Sequence, residues 1–187
     1  VYKRQHMIIT GGTGAGKSYF RGKLMEELYD LGIPQINFDV LNEYVRATNE
    51  LGGINLKIGE DYRPRLDMLS PDEFDQMIRD YVPTPFQQAI ARQGFIKFRR
   101  ASRSALKPLE PQKLLEYIDE AASDYSARGE TRENTISRVN AFLQDYDIFG
   151  SGINWKKYIE KHRLINIVCG FATEPLMRLG VACALKE

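Results

Sequence analysis

The sequence predicts an α/β fold in which a largely helical segment interrupts a parallel sheet. A short apolar strand at residues 5–10 runs through a glycine-rich loop into a helix and then into a second strand at residues 35–39. Residues 70–147 carry mainly helical patterns. Strand–helix–strand units build parallel sheets with right-handed crossovers, so the two observations together indicate this fold class.

The composition indicates a soluble globular protein. The chain has 187 residues, 43% of them hydrophobic and 27% charged, enough for one domain with a sizeable core. We expect a cytoplasmic protein without a membrane partner, because no apolar stretch reaches the ~18 residues that span a bilayer and no secretion signal is visible. The net charge of +1 neither requires nor excludes nucleic acid. Cys169 and Cys183 are expected to be buried thiols.

The first α/β unit can be followed element by element. A helix is predicted from Lys17 to about Leu31, because apolar residues recur there at helical spacing and Gly32 and Pro34 follow. Gln35–Asp39 is predicted as a strand. Residues 51–60 alternate apolar and polar side chains, as in an edge strand or a hairpin.

The middle of the chain begins with a strong helix start. Ser70, Pro71 and Glu73 form a capping-box pattern for a helix that reaches about Tyr81. Further helices are predicted from residue 84, from residue 110 to about 127 and from 131 to about 145, followed by a strand at 163–169 and a helix from Thr173. The predicted organisation is a phosphate-loop α/β unit (1–69), a helical insertion within the same domain (70–150) and a returning strand and helix (151–187).

The glycine-rich loop is GGTGAGKS, from Gly11 to Ser18, and it fits the pattern G-x-x-x-x-G-K-[ST]. Glycines allow positive φ, so that backbone N–H groups converge on a phosphate at the start of a helix. Lys17 would reach the β- and γ-phosphates as a catalytic group, and the Ser18 hydroxyl would bind Mg²⁺. The loop predicts a P-loop site for ATP and Mg²⁺ formed by Gly12, Thr13, Gly14, Ala15, Gly16, Lys17, Ser18 and Tyr19.

A second candidate lies at the carboxyl end of the second strand, in INFDVLNEY. Ligands of open α/β sheets bind at this edge, which makes Asp39 and Glu43 catalytic candidates near magnesium or the attacking water. The alternative is that Asp39 caps the following turn and that Glu43 is solvated. The spacing alone leaves both interpretations open.

The two motifs together resemble the HerA/FtsK-type DNA translocases. In HerA-like proteins the second strand ends in Asp-Pro-His-Gly-Glu-Tyr; here Asp39, Glu43 and Tyr44 match, while Val40, Leu41 and Asn42 replace the central residues. A helical insertion and a strand and helix, INIVCGFATEPLMRLGVACALKE, follow as in that family. The resemblance implies a RecA-like P-loop ATPase core in a homo-hexameric ring. Such a ring moves duplex DNA through its pore, binds ATP between subunits and acts with a nuclease or another effector.

A basic strip lies in the middle of the chain. It consists of five cations within twelve residues: Arg92, Lys97, Arg99, Arg100 and Arg103. It could face DNA or a neighbouring subunit's nucleotide, or it could be a solvated helix face. It could also be the arginine-rich lid of a small-molecule or nucleotide kinase. That kinase and a regulatory nucleotide-binding module are the alternative functions.

The paired acidic residues that hold magnesium and polarise water in such ATPases are not found on a strand. The segment Leu115–Glu120 ends in Asp-Glu, but its pattern is helical, and the strand at 163–169 ends without an acid. In HerA-like proteins this motif comes after the helix at which the present sequence stops. The resemblance therefore implies that the motif lies beyond Glu187 and that the chain is a truncated core, incomplete for hydrolysis.

Overall fold

The glycine-rich loop belongs to a part of the protein that contains a three-stranded sheet. The computed structural model describes residues 10, 12–170, 180–183 and 186. The described sheet has the order β1–β3–β2, and its strands are β1 (Gln35–Asp39), β2 (Ile54–Lys57) and β3 (Leu164–Val168). Strands β1 and β3 are parallel, with Asp39 opposite Val168. All five residues of β3 are buried, as expected for the middle strand. The predicted α/β fold class with a parallel sheet is confirmed.

Seven α-helices lie within the described residues, and most of them fall between β2 and β3. They are α1 (Lys17–Asp30), α2 (Val45–Glu50), α3 (Pro71–Ile78), α4 (Pro85–Ser104), α5 (Leu114–Asp124), α6 (Glu130–Asp145) and α7 (Trp155–Lys161). Five of the predicted helices and the strands predicted at 35–39, 51–60 and 163–169 are found within about four residues of their predicted bounds. The predicted strand at 5–10 and most of the helix from Thr173 lie outside the described residues. In that part of the chain which is described, no helix has both the length and the apolarity needed to cross a membrane.

Two helices were not predicted, α2 and α7. Each is short, six or seven residues. The α2 segment has few apolar positions, whereas Trp155, Tyr158 and Ile159 of α7 do have helical spacing but span only five residues. The predicted helix from residue 110 begins as a 3₁₀ turn at Pro111–Lys113 before α5 starts at Leu114. Proline cannot donate a backbone hydrogen bond, and it stands in the first turn of this segment.

The chain divides into two compact units. The first contains the described residues up to Leu56 together with Lys156–Gly170, and the second contains Lys57–Trp155 with the described residues after 170. The core of the first unit joins Met25 of α1, Tyr44 and Leu164 of β3. Cys169 is buried in this unit, as expected, and burial raises the pKa of its thiol to about 11, with the Asp39 carboxylate adding to the effect.

The second unit is a helical bundle built on α4. Phe74 of α3 stacks on Phe95 of α4 with ring centroids 4.2 Å apart, and the ring of Phe142 from α6 packs edge-on against Phe74. The predicted capping box of α3 is present: Glu73 N–H donates to Ser70 Oγ (3.2 Å), and Ser70 N–H donates to the Glu73 carboxylate (2.6 Å).

Candidate nucleotide site

The glycine loop has the backbone that its sequence predicts. Gly14 and Gly16 have φ of +80° and +81°, in the left-handed region that only glycine adopts freely. Ala15 N–H donates to the carbonyl of Gly12 (3.2 Å), which closes a tight turn. The Lys17 ammonium group folds back onto the start of the loop and donates to the Gly12 carbonyl at 2.7 Å. The loop therefore presents an ammonium group beside a turn built from glycines.

The helix that follows the loop begins without a side-chain cap. Gly16 is the N-cap of α1, and the first turn of α1 contains no acidic residue. Ser70 and Thr84 cap the starts of α3 and α4 with their hydroxyl groups, whereas α2, α5 and α6 also begin without a side-chain cap. The glycine loop and Lys17 are what distinguish the start of α1. The first N–H groups of a helix lack intrahelical partners, and the helix dipole favours an anion there. Together with Lys17, this uncapped helix start fits a phosphate group.

Ser18 and Tyr19, which follow Lys17, are both exposed. The Ser18 hydroxyl is therefore accessible for the predicted Mg²⁺ contact. Within the described residues, no group of three or more His, Cys, Asp or Glu side chains could hold a metal ion. Mg²⁺ is often held by only one or two protein ligands together with substrate phosphates, so a single hydroxyl beside a bound nucleotide fits this pattern.

Asp39 is buried at the carboxyl end of β1, and its carboxylate is occupied by internal donors. Only 1% of the residue is exposed. Its two oxygens accept hydrogen bonds from the backbone N–H groups of Glu43 (3.0 Å) and Tyr44 (2.9 Å), and Asn166 donates a third at 3.3 Å. These contacts fix the loop between β1 and α2. The geometry matches the capping interpretation of Asp39, and its catalytic role stays a prediction.

The side chains of Glu43 and Tyr44, both in this loop, differ in their exposure to solvent. The Glu43 side chain is exposed. Tyr44 is buried, and its hydroxyl donates to the backbone carbonyl of Ser18 (3.2 Å). Arg21 of α1 lies over the Tyr44 ring, 4.4 Å from the ring centroid, and donates to the carbonyl of Phe38 (3.1 Å). Tyr44 thus connects the loop after β1 to the start of α1.

The loop after β3 joins the same edge. Gly170 N–H donates to the side-chain oxygen of Asn42 at 3.1 Å, and a Cβ at Gly170 would lie 2.6 Å from that side chain. Asn166, fully buried in β3, donates to Asp39 and also to Asn55 of β2 (2.8 Å). Sequence analysis missed Asn166 and Asn42. A single asparagine in the otherwise apolar strand Leu164–Val168 was the signal for the first, whereas Asn42 has no comparable signal.

The basic strip lies on α4, in the second unit, and the structure divides it. Arg92 forms ion pairs with Asp72 and Asp75, and Lys97 pairs with Asp124 at 2.7 Å. Arg99, Arg100 and Arg103 instead line one pocket together with Pro71, Ile96 and Ser104. The solvated-face interpretation thus fits only part of the strip.

The Asp-Glu pair at 119–120 lies within α5, as its helical pattern predicted. Arg132 holds the Asp119 carboxylate with two hydrogen bonds of 2.5 and 2.6 Å, and these bonds lower the pKa of Asp119. Its rejection as the missing acidic strand is confirmed. The position of the magnesium-binding acid pair beyond Glu187 stays a prediction.

Comparisons with known proteins agree with this arrangement. The family model described as helicase HerA, central domain, matches residues 3–186, nearly the whole chain. The chain therefore belongs to this family, and the predicted resemblance is confirmed.

The fold is similar to that of a solved structure, VirB4 of Thermoanaerobacter pseudethanolicus, with a TM-score of 0.64 and 16% sequence identity. The alignment covers 92% of this chain and 53% of that chain, so this chain spans about half of the VirB4 length. At this identity the likeness concerns the fold alone. Comparison with curated protein sequences gave no match.

Proposed function

We propose, from membership in the HerA central-domain family, that this chain is the ATP-binding motor core of a DNA translocase. The observation that carries the proposal is the uncapped start of α1 behind a glycine loop with two residues of positive φ and Lys17 beside it. A phosphate group satisfies the free N–H groups of such a helix start. The bound species would be ATP with Mg²⁺.

The residues have distinct proposed roles. Lys17 contacts the β- and γ-phosphates, the Ser18 hydroxyl is a ligand of Mg²⁺, and the backbone of residues 12–19 surrounds the phosphates. Asp39 positions the loop that carries Glu43, because its carboxylate is occupied by the two backbone N–H groups and by Asn166. Glu43, whose side chain is exposed, is the acidic group that would act on the attacking water.

The proposed assembly is a homo-hexameric ring that moves duplex DNA, together with a nuclease or another effector. The surface of the first unit supports association with other subunits. Several large apolar side chains are exposed there: Tyr19 (72%), Phe20 (49%), Leu31 (72%), Val40 (43%) and Leu41 (75%). A contact between subunits would cover these side chains.

An ATPase assay with and without duplex DNA, on full-length protein whose oligomeric state has been measured, tests this function. We expect a ring whose ATP hydrolysis rises when duplex DNA is added. A ring that hydrolyses ATP at the same rate with and without DNA would contradict the motor function. A monomer that transfers phosphate to a soluble acceptor would support the kinase alternative instead.

A further inference from the structure

The C-terminal half of α4 carries three arginines that lack carboxylate partners within the described residues. Arg99 is half-buried, Arg100 and Arg103 are exposed, and all three line a pocket of about 320 Å³. Arg99 and Arg103 are one helical turn apart, ~6 Å along the axis at 1.5 Å per residue. Like charges at this spacing destabilise a helix.

The two acidic groups whose charges act on Arg99, Asp67 and Glu73, are hydrogen-bonded to other cations. Asp67 is buried, and Arg65 holds its carboxylate with two hydrogen bonds of 3.0 and 2.6 Å. The Glu73 carboxylate is bound by the Lys186 ammonium at 2.7 and 2.8 Å. In the part of the chain that the structure describes, Arg99 donates one hydrogen bond, to the backbone carbonyl of Asp67 at 3.2 Å. Within the described residues, Arg99, Arg100 and Arg103 therefore form no ion pair with a carboxylate, and the charges of Asp67 and Glu73 act on Arg99 only through space.

The other two cations of the basic strip on α4 do have acidic partners. Arg92 and Lys97 face acidic residues of α3 and α5, with which they form ion pairs. Burial and the charge of Arg103 lower the pKa of Arg99, so a bound anion would stabilise its charged form. The three-arginine pocket thus differs from a generally solvated basic face.

We infer that Arg99, Arg100 and Arg103 form a surface that binds the phosphate backbone of nucleic acid. A guanidinium group matches phosphate oxygens with paired donors, and three of them along one stretch of helix suit a polyanion that carries one charge per ~3.4 Å of axis on each strand. The lining offers only Pro71 and Ile96 as apolar side chains, so it lacks the apolar centre of a typical protein interface. This inference rests on the proposed function, since it names the residues by which the motor would hold its DNA.

Fluorescence anisotropy of a labelled DNA duplex, titrated with the whole chain at a series of salt concentrations, tests the inference. The variant is Arg99→Gln/Arg100→Gln/Arg103→Gln. Its matched control, Lys23→Gln/Arg46→Gln/Lys113→Gln, removes the same charge from exposed cations that pair with acids on their own helices or turns. The double variant Arg100→Gln/Arg103→Gln keeps the Arg99 contact with Asp67 and serves if the triple variant does not fold.

The expected result is weaker binding by about tenfold or more in the triple variant, but not in the control. The slope of log affinity against log salt should fall by ~0.9 for each lost phosphate contact, ~2.7 for the triple and ~1.8 for the double variant. Binding equal to that of the control, or no binding of DNA by the original chain, would overturn the inference. Loss of DNA binding together with a change of oligomeric state would also overturn it and would assign the pocket to an interface between copies.

ATP binding, measured on the same samples, separates this inference from the proposed function. If the original chain and the triple variant bind ATP equally and only the variant loses DNA, both stand. If the original chain binds ATP but the triple variant binds DNA as tightly as the control variant does, only the inference about the three arginines is wrong. If the original chain does not bind ATP, the proposed function fails whatever the DNA result.

Discussion

Replacing Asp39 with alanine should release the loop between β1 and α2. The carboxylate accepts two backbone hydrogen bonds, from Glu43 at 3.0 Å and Tyr44 at 2.9 Å, in an almost fully buried position. A hydrogen bond to a charged group contributes about 1.5–3 kcal/mol, so the two together contribute about 3–6 kcal/mol to keeping the loop closed. Since 1.4 kcal/mol corresponds to a factor of ten, the opening equilibrium should rise by about two to four orders of magnitude.

Hydrogen exchange of individual amides, followed by NMR, measures this opening at the two N–H groups concerned. The amides of Glu43 and Tyr44 should exchange about 10²- to 10⁴-fold faster in Asp39→Ala, up to the limit set by global unfolding. Asp61→Ala is a matched control, because Asp61 accepts a similar bond from Lys57 N–H (3.0 Å) but is exposed. The control should change exchange at Lys57 by less than about tenfold. Exchange at Glu43 and Tyr44 that changes no more than in this control would refute the positioning role of Asp39.

Two further predictions concern the helical unit. The hydrogen bonds from Lys186 and Ser70 outweigh the effect of burial and lower the pKa of Glu73 to about 2, from an ordinary value of 4.5. The stabilisation that the ionised Glu73 carboxylate gives to the folded state is therefore complete above pH 4.5 and is lost as the pH falls towards 2. The variant Glu73→Gln should flatten the decline of Tm in this pH range. The exposed control Glu116→Gln should leave that decline unchanged. Gly94→Ala should lower the free energy of unfolding by about 1–3 kcal/mol, because its Cβ would lie 2.7 Å from Ile118 Cα. The control is Gly22→Ala, where the new Cβ would lie 4.0 Å from Tyr44; it should stabilise α1 by up to about 1 kcal/mol. Chemical denaturation measures both variants. Equal effects of the two substitutions would contradict this account of α4–α5 packing.

Local signals in the sequence were sufficient to predict much of the fold. The capping box at Ser70 and Glu73 and the proline at residue 85 mark the starts of α3 and α4 by interactions between near neighbours. The glycine motif predicts the backbone of the loop for the same reason, since positive φ at Gly14 and Gly16 is a property of those residues. Such features need no knowledge of distant parts of the chain.

The remaining features depend on contacts between distant residues. Whether Asp39 caps a turn or stays free is decided partly by Asn166, which follows it by 127 residues. The basic strip reads as one run of cations, yet Arg92 and Lys97 are paired only because α3 and α5 bring acids to them. The α2 helix follows a loop that Asp39 holds, and its own six residues carry no helical period. Tertiary contacts of this kind are outside the reach of pattern and spacing.

ATP binding by the intact chain is the most direct test of the central claim, that the glycine loop and the start of α1 hold a nucleotide. Isothermal titration with Mg-ATP should give a saturable, one-site binding curve, and Lys17→Ala should weaken the affinity by about tenfold or more because it removes a charge-assisted phosphate contact. Lys23→Ala, on the same helix but exposed and paired with Glu26, should bind as the original chain does. Equal affinities in all three proteins, or no binding by the original chain, would contradict the claim.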